Sequence, residues 1–333
     1  MKSAPRSARK IIWIILPIAL ILLAAWTTLT LRVQPLKRTE MIMGTVVEIS
    51  VIPADEEAIK EAFDAIKKVD ELMSTYKPES EISILNRQGE NHLSPQTSQI
   101  IQEAIKFSEM TEGAFDITCR PLINLWKRAK KEAKIPTLQE IEEAKRLVSY
   151  KKIALEDDLV KLQQPGMQID LGGIAKGWAV DKAIQALKKR GVRAALINAG
   201  GDLYALGRRG LWKKWEVGIQ HPRDQEKILT TLEVSDKGVA TSGDYRRYFT
   251  LEGRRFSHIV DPRTGETVEE VPMSVTVVAP DATTADALAT GIFVLGPEEG
   301  MKLIESLPGI EGLIVSEGMR MDSSSGWGEF QKQ

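Results

Sequence analysis

The sequence predicts an α+β domain carried behind one apolar N-terminal span, on three observations. Residues 11–31, IIWIILPIALILLAAWTTLTL, hold no charged side chain. Beyond them, helical periodicity dominates the first half and short strand-like runs the second, without the regular alternation that builds a doubly wound parallel sheet. The composition, 43% hydrophobic and 27% charged over 333 residues, is that of a globular chain with one large or two modest domains.

At the N-terminus, Lys2, Arg6, Arg9 and Lys10 form a basic tail over residues 1–10. A run of the length of 11–31 crosses a bilayer as one helix, and the basic flank keeps the tail in the cytoplasm. That predicts a single-pass protein of the inner membrane with its body on the periplasmic side. A cleaved signal peptide is the alternative, with Leu23-Ala24-Ala25 as a small-residue site, but the apolar run exceeds a typical signal-peptide core. Cys119 is the only cysteine, which excludes an intrachain disulfide, a cysteine-based metal cluster and a lipid-modified cysteine after the span. It reads as a small core residue. A net charge of −1, with no basic stripe among aromatics, gives no reason to expect nucleic acid.

Residues 32–39 read as a linker and 40–330 as the folded domain. GTVVEISVI alternates as a strand that Pro53 ends. Asp55 caps a helix with Ala58, Ile59, Ala62, Phe63, Ile66, Val69 and Leu72 on one face. A second helix runs from near Pro95 to the Gly113 stop, and residues 138–148 form a third. KIALEDDLVKL reads as a hairpin turning at Asp157-Asp158. The apolar run Met167–Leu171 reads as a buried strand, followed by a helix through Trp178, Val180, Ala183, Ile184 and Leu187. Past Gly191, AALINAG, WEVGIQ, TTLEVS, RYFTLEG, SHIVDP and MSVTVVA read as strands. DATTADALATGIFVLG and a segment from Pro297 to Leu307 read as helices, and Ser323–Gly326 as a fraying C-terminus.

Four segments carry candidate chemistry. In DLGGIAKGWAVD, Asp170 precedes Gly172, Gly173 and Lys176 at a strand-to-helix turn, where glycine admits another molecule to the backbone and the helix start favours an anion. The stretch fits neither GxGxxG nor a P-loop. In TTADALAT, Thr283, Asp286 and Thr290 share a helical face; hard oxygen donors suit Mg²⁺, while the plain alternative is an acid helped by the helix dipole. In SHIVDPRTGE, His258 is a better acid/base candidate than His92 or His221, which have loop-like surroundings. NAGGDL offers two glycines and an acid at a strand end.

Taken in order, MGTVVEI from Met43, STY ending at Tyr76, GAFDIT, DLGGIAKGWAVD, NAGGDL, ATSGDYRRYF, SHIVDPRTG and TTADALATGIFVLGP resemble the ApbE-type FAD:protein FMN transferase family over residues 40–320. The resemblance implies an ApbE-like, T-fold-related architecture of mixed helices and antiparallel sheets. It implies an enzyme that cleaves FAD at its pyrophosphate and moves FMN onto a threonine of a target protein, releasing AMP, with Mg²⁺. By position, Met43, Tyr76, Ala114, Phe115, Asp116, Asp170, Lys176 and Ile259 match residues that contact FAD. Asp286, Thr290 and the carbonyl of Gly173 match the metal ligands, and His258 the histidine near the reacting phosphate. The base is then His258, Asp170 or Asp261, and Phe115 and Tyr76 offer stacking surfaces for the flavin and adenine rings. The family's targets are extracytoplasmic FMN-carrying subunits of redox complexes, such as the sodium-pumping NADH:quinone reductase and Rnf-type complexes. Many relatives are lipoproteins, a pattern from which this chain departs. A Mg²⁺-dependent FAD pyrophosphatase and a non-catalytic FAD-binding protein are the alternative functions.

Overall fold

The computed structural model describes residues 35–332 except 211, 245–247, 252–253, 258 and 269–271. The basic tail and the predicted span at 11–31 lie outside the described residues, as does His258. Among the described residues no helix is long and apolar enough to cross a membrane.

In chain order, β1 (Leu36–Ile42) and β2 (Thr45–Ile52) form a hairpin, followed by α1 (Glu56–Met73), α2 (Glu81–Gln88), β3 (Glu90–His92) and α3 (Pro95–Met110). Next come α4 (Arg120–Glu132), α5 (Leu138–Lys145), the hairpin β4 (Ile153–Glu156) and β5 (Leu159–Leu162), and α6 (Ala175–Lys189). The strands β6 (Ala194–Ala199), β7 (Asp202–Leu206), β8 (Trp215–His221), β9 (Asp224–Val234), β10 (Lys237–Gly243), β11 (Tyr248–Leu251), β12 (Arg254–Ser257) and β13 (Ser274–Ala279) lead to α7 (Ala282–Leu295) and α8 (Pro297–Ser306). The chain closes with β14 (Glu311–Val315) and β15 (Met321–Ser323).

Eight strands make one sheet in the order β1-β2-β6-β7-β10-β13-β14-β15, every neighbouring pair antiparallel. Its two faces follow from the two-residue period of the strands. Val47, Ile49 and Val51 of β2, Ile197 of β6 and Val277 of β13 join the core built with Ile59 and Ile66 of α1, Val180 of α6 and Leu288 of α7. Residues one step along, Leu203, Ala205, Val239 and Leu313, pack instead with Trp215, Val217, Ile219 and Leu232 of the β8–β9 hairpin and with Trp327. The architecture is therefore three layers: helices, sheet, hairpin. A third cluster, Leu122, Leu125, Trp126, Ile141, Phe256 and Val260, ties the β11–β12 segment to α4 and α5. Each fully buried Leu, Ile or Phe contributes about 1.5–3 kcal/mol, which makes these clusters the main source of stability.

Asp55 caps α1 through the Ala58 N–H at 2.9 Å, as the sequence predicts. The β4–β5 hairpin turns at Asp157, which has φ 54°. Several expectations are corrected. The linker read at 32–39 already enters β1 at Leu36. Helices α2 and α4 and strands β7, β10 and β14 were not predicted. SHIVDP does not continue as a strand: β12 ends at Ser257, and Val260 only bridges to Thr267. Ser323–Gly326 does not fray, because Ser324 is buried and receives the Gly312 N–H at 2.9 Å. Cys119 is half-buried at the start of α4, and loss of solvent pushes its thiol well above the usual range.

Candidate active site

The predicted strand Met167–Leu171 joins no ladder. Asn86 of α2 takes the place of a neighbouring strand: it accepts from the Ile169 N–H at 2.7 Å and donates to the Ile169 carbonyl at 2.8 Å. The Asp170 N–H donates to the Ile117 carbonyl at 2.7 Å. These bonds aim the Asp170 side chain across the turn, where it accepts from the Gly172 N–H at 2.8 Å and from Arg120 Nη1 at 2.7 Å. Both members of that ion pair are largely covered, so solvent weakens it less than a surface pair. Arg120 was not foreseen; it lies 50 positions from its partner with no local signal.

Helix α6 then begins with Lys176 in its first turn, where the helix dipole disfavours a cation. Two acids offset it. The ammonium is hydrogen-bonded to Asp202 at the start of β7 and lies 3.5 Å from Asp286 of α7. Both acids are buried, with side chains 2% and 4% exposed, and a buried carboxylate persists only with such partners. Asp286 also accepts from the Gly177 N–H at 3.0 Å, capping α6 from a different helix. The acid of NAGGDL thus belongs to the site, though its partner Lys176 lies 26 positions away with no local signal. Thr283, Asp286 and Thr290 do share a face, each spent differently. Thr283 donates to Asp181, Asp286 faces Lys176, and Thr290 pairs with Ser242 at 3.3 Å.

Gly173 packs where any side chain would fall 3.1 Å from Phe115 and 3.2 Å from Thr290. Asp286, Thr290 and the Gly173 backbone are therefore neighbours, as a shared ligand set requires. The donors are all hard oxygens, and among the described residues no three His, Cys, Asp or Glu side chains group into a metal cage. Such a sparse oxygen set fits Mg²⁺, which completes its shell with water and substrate phosphate.

The GAFDIT residues form the floor rather than an open surface. Phe115 is buried and meets Phe107 edge-on at 6.4 Å, so the expected stacking face is turned into the core. Ala114 is equally covered. Asp116 caps the following turn through Thr118 and holds the Tyr150 N–H at 2.9 Å; burial pushes its carboxyl up, and these hydrogen bonds partly oppose that. Tyr76 is the open aromatic, 78% exposed with the Lys127 ammonium 5.3 Å from its ring centre.

Register places Met43 at the same end of the sheet. Ile42 pairs with Thr45, Val47 with Ala199, Ala199 with Asp202, and Gly243 with Ser274, which gathers the Met43–Gly44 and Gly200–Gly201 turns beside the end of β10. Met43 holds φ 54°, a conformation uncommon for a non-glycine residue and concentrated at functional sites. Ile259 is half-buried and donates its N–H to Ser257 Oγ at 3.1 Å. Both oxygens of Asp261 accept from Arg263, at 2.8 Å from Nη2 and 3.0 Å from Nε. His92 and His221 are elsewhere, one beside Asp158 and the other accepting from the Arg223 N–H.

The FAD:protein FMN transferase of Vibrio cholerae is 33% identical over 302 residues, 86% of this chain and 90% of the relative. That of Haemophilus influenzae is 34% identical over 267 residues, covering 76% and 77%. Among solved structures, an ApbE protein of Thermotoga maritima superposes with TM-score 0.83 at 32% identity, over 90% of this chain and all of that one. The flavin transferase ApbE of Vibrio cholerae superposes with TM-score 0.79 at 31% identity, over 89% and 99%. Residues 43–314, which hold every described site residue above, match the ApbE family profile, and the chain belongs to the ApbE family.

Proposed function

We infer that the chain is an FAD:protein FMN transferase. The threonine hydroxyl of an acceptor protein attacks the phosphorus that carries riboflavin, the P–O–P bond breaks, and AMP leaves. The observation that carries the reading is the convergence of Lys176, Asp202, Asp286 and Thr290 on the Gly172–Gly173 turn.

Gly172 is exposed and Gly173 half-exposed, so a pyrophosphate can approach this backbone closely. Lys176 sets a positive charge beside it. Asp286, Thr290 and the Gly173 carbonyl would hold Mg²⁺, which would supply charge neutralisation at the pyrophosphate. Asp170 orients the turn through Gly172 and Arg120. The proton of the threonine goes to His258, the base in this reading, since the carboxylates of Asp170 and Asp261 already accept from guanidinium groups. The FAD contacts in this reading come from Met43, Tyr76, Ala114, Phe115, Asp116, Asp170, Lys176 and Ile259. The acceptors are extracytoplasmic FMN-carrying subunits of the sodium-pumping NADH:quinone reductase or Rnf type. The apolar segment 11–31 tethers the enzyme in their compartment.

The test is incubation of the full chain with FAD, Mg²⁺ and an acceptor domain, read by intact mass and nucleotide analysis. One FMN added per acceptor and one AMP released is the expected result. Free FMN and AMP with an unlabelled acceptor would identify a pyrophosphatase, and intact FAD a binding protein.

A further inference from the structure

The face of the sheet turned away from the helices carries a groove of about 410 Å³ that shares only the Gly200–Gly201 turn with the site above. Its floor mixes apolar and polar side chains from four adjacent strands, Val46 and Glu48, Leu196 and Asn198, Leu203, and Val239 and Thr241. The floor extends to the sheet margin, where Met41 and Val46 lie opposite each other and are 71% and 51% exposed. Its wall consists of five consecutive residues of β8, Glu216 to Gln220. Side chains alternate along a strand: those of Val217 and Ile219 pack toward the sheet, so Glu216 and Gly218, which face the other way, meet the groove through the backbone edge.

Register identifies which groups that edge offers. The Glu233 N–H donates to the Phe330 carbonyl and the Lys332 N–H to the Thr231 carbonyl, so Thr231 and Glu233 turn toward the C-terminal tail. Their opposite numbers on β8, Gly218 and Glu216, therefore turn their N–H and C=O groups away from β9. Both residues are exposed, and among the described residues no strand pairs with this edge. A row of donors and acceptors at strand spacing, over a floor that offers both apolar and polar side chains, is complementary to an extended polypeptide. The groove also leads to the reaction site. It includes Gly200 and Gly201, which precede Asp202, and Thr241, which precedes Ser242.

We propose that the threonine-bearing segment of the acceptor protein adds to β8 as an extended strand in this groove, which presents its hydroxyl at the end of the sheet where FAD is cleaved. This rests on the transferase reading. It commits β8 to backbone pairing and the floor to side-chain packing, and assigns both to acceptor affinity rather than to flavin binding.

Two substitutions separate these roles. Val46→Lys puts a charge on the exposed floor, and Gly218→Pro removes one edge donor, which an edge strand tolerates. Gly218→Ala is the control: it keeps the N–H and meets only the Ile228 side chain, nearest at its terminal methyl, on an exposed residue. With the full chain and the flavin-accepting domain of a sodium-pumping NADH:quinone reductase as probe, Val46→Lys and Gly218→Pro should each raise the acceptor KM about tenfold, the loss of roughly one good hydrogen bond or apolar contact. FAD affinity and Tm should match the wild type, and Gly218→Ala should transfer normally. Addition of the acceptor to wild-type protein should slow hydrogen exchange at the Glu216 and Gly218 amides. An unchanged acceptor KM in both variants, or unchanged exchange in the presence of saturating acceptor, would overturn the docking site while transfer itself stands. Failure of the wild type to label any acceptor would instead overturn the transferase reading, and the docking site with it.

Discussion

Asp286 caps a helix to which it does not belong, and that double commitment explains how a carboxylate survives almost wholly buried. One oxygen takes the Gly177 N–H and the other faces the Lys176 ammonium. Asp286→Asn keeps an oxygen for the cap and removes the charge that attracts a hard cation. The variant should fold and bind FAD, require far more Mg²⁺, and transfer FMN about 10²–10³-fold more slowly even with abundant metal. The measurement is a Mg²⁺ titration of transfer at saturating FAD, with a chelator-treated sample as the zero point; curves superimposable on wild type would remove Asp286 from the metal site. Asp286, Thr290 and Lys176 were legible in the sequence because each sits in a short motif with a defined helical phase. Arg120 and the pairing of Asp202 with Lys176 were not, since a long-range ion pair leaves no local pattern.

Helices α6 and α7 cap each other. As Asp286 of α7 serves the first turn of α6, Asp181 of α6 accepts from the Ala282 and Thr283 N–H groups at 3.0 and 2.8 Å, serving the start of α7. The pair approaches closely at Gly177, where any Cβ would lie 2.2 Å from the Ala282 carbonyl oxygen. This locked pair holds Lys176 and Thr290 in one place. Burial pushes the Asp181 carboxyl up to about 6, against the pull of its hydrogen bonds. In the unfolded chain the group ionises near its ordinary value of 3.8, so between about pH 4 and 6 the native state holds the extra proton. Stability from this group therefore falls as pH rises through that window and is level above it. Relative to Asp181→Asn, wild-type unfolding free energy should decline across pH 4–6 by no more than about 3 kcal/mol, as read by urea titrations. Parallel profiles would refute the assignment. Met167–Leu171 has strand chemistry, but Asn86 and Ile117 satisfy its backbone, and side-chain substitution for a ladder cannot be seen in hydropathy. Helix α4 was missed although Leu122, Leu125, Trp126 and Ala129 have helical spacing.

At the scale of the molecule, the α+β class was legible in the distribution of helices and strands, whereas the strand order was not. The sheet joins β1 and β2 from the beginning of the domain to β6, and β14 and β15 from its end to β13. Such pairings close long loops and depend on surfaces that no single segment reveals. The turns that build the site gather at one end of this sheet, and β1, which starts at Leu36, begins only a few residues after the apolar run that ends at 31. That short connection sharpens the proposal on topology. If Lys2, Arg6, Arg9 and Lys10 remain inside and 11–31 span the bilayer, the folded body has little chain with which to stand away from the outer surface of the cytoplasmic membrane, and it meets its acceptors there. Protease added to cells whose outer layer alone has been made permeable should then digest the body while cytoplasmic proteins survive. The protein should also stay with the membrane fraction through high-salt and carbonate washes. Full protection until the cytoplasmic membrane is lysed would reverse the orientation; release by carbonate, with the body still protease-accessible, would mean that the N-terminal segment is cleaved rather than retained as an anchor.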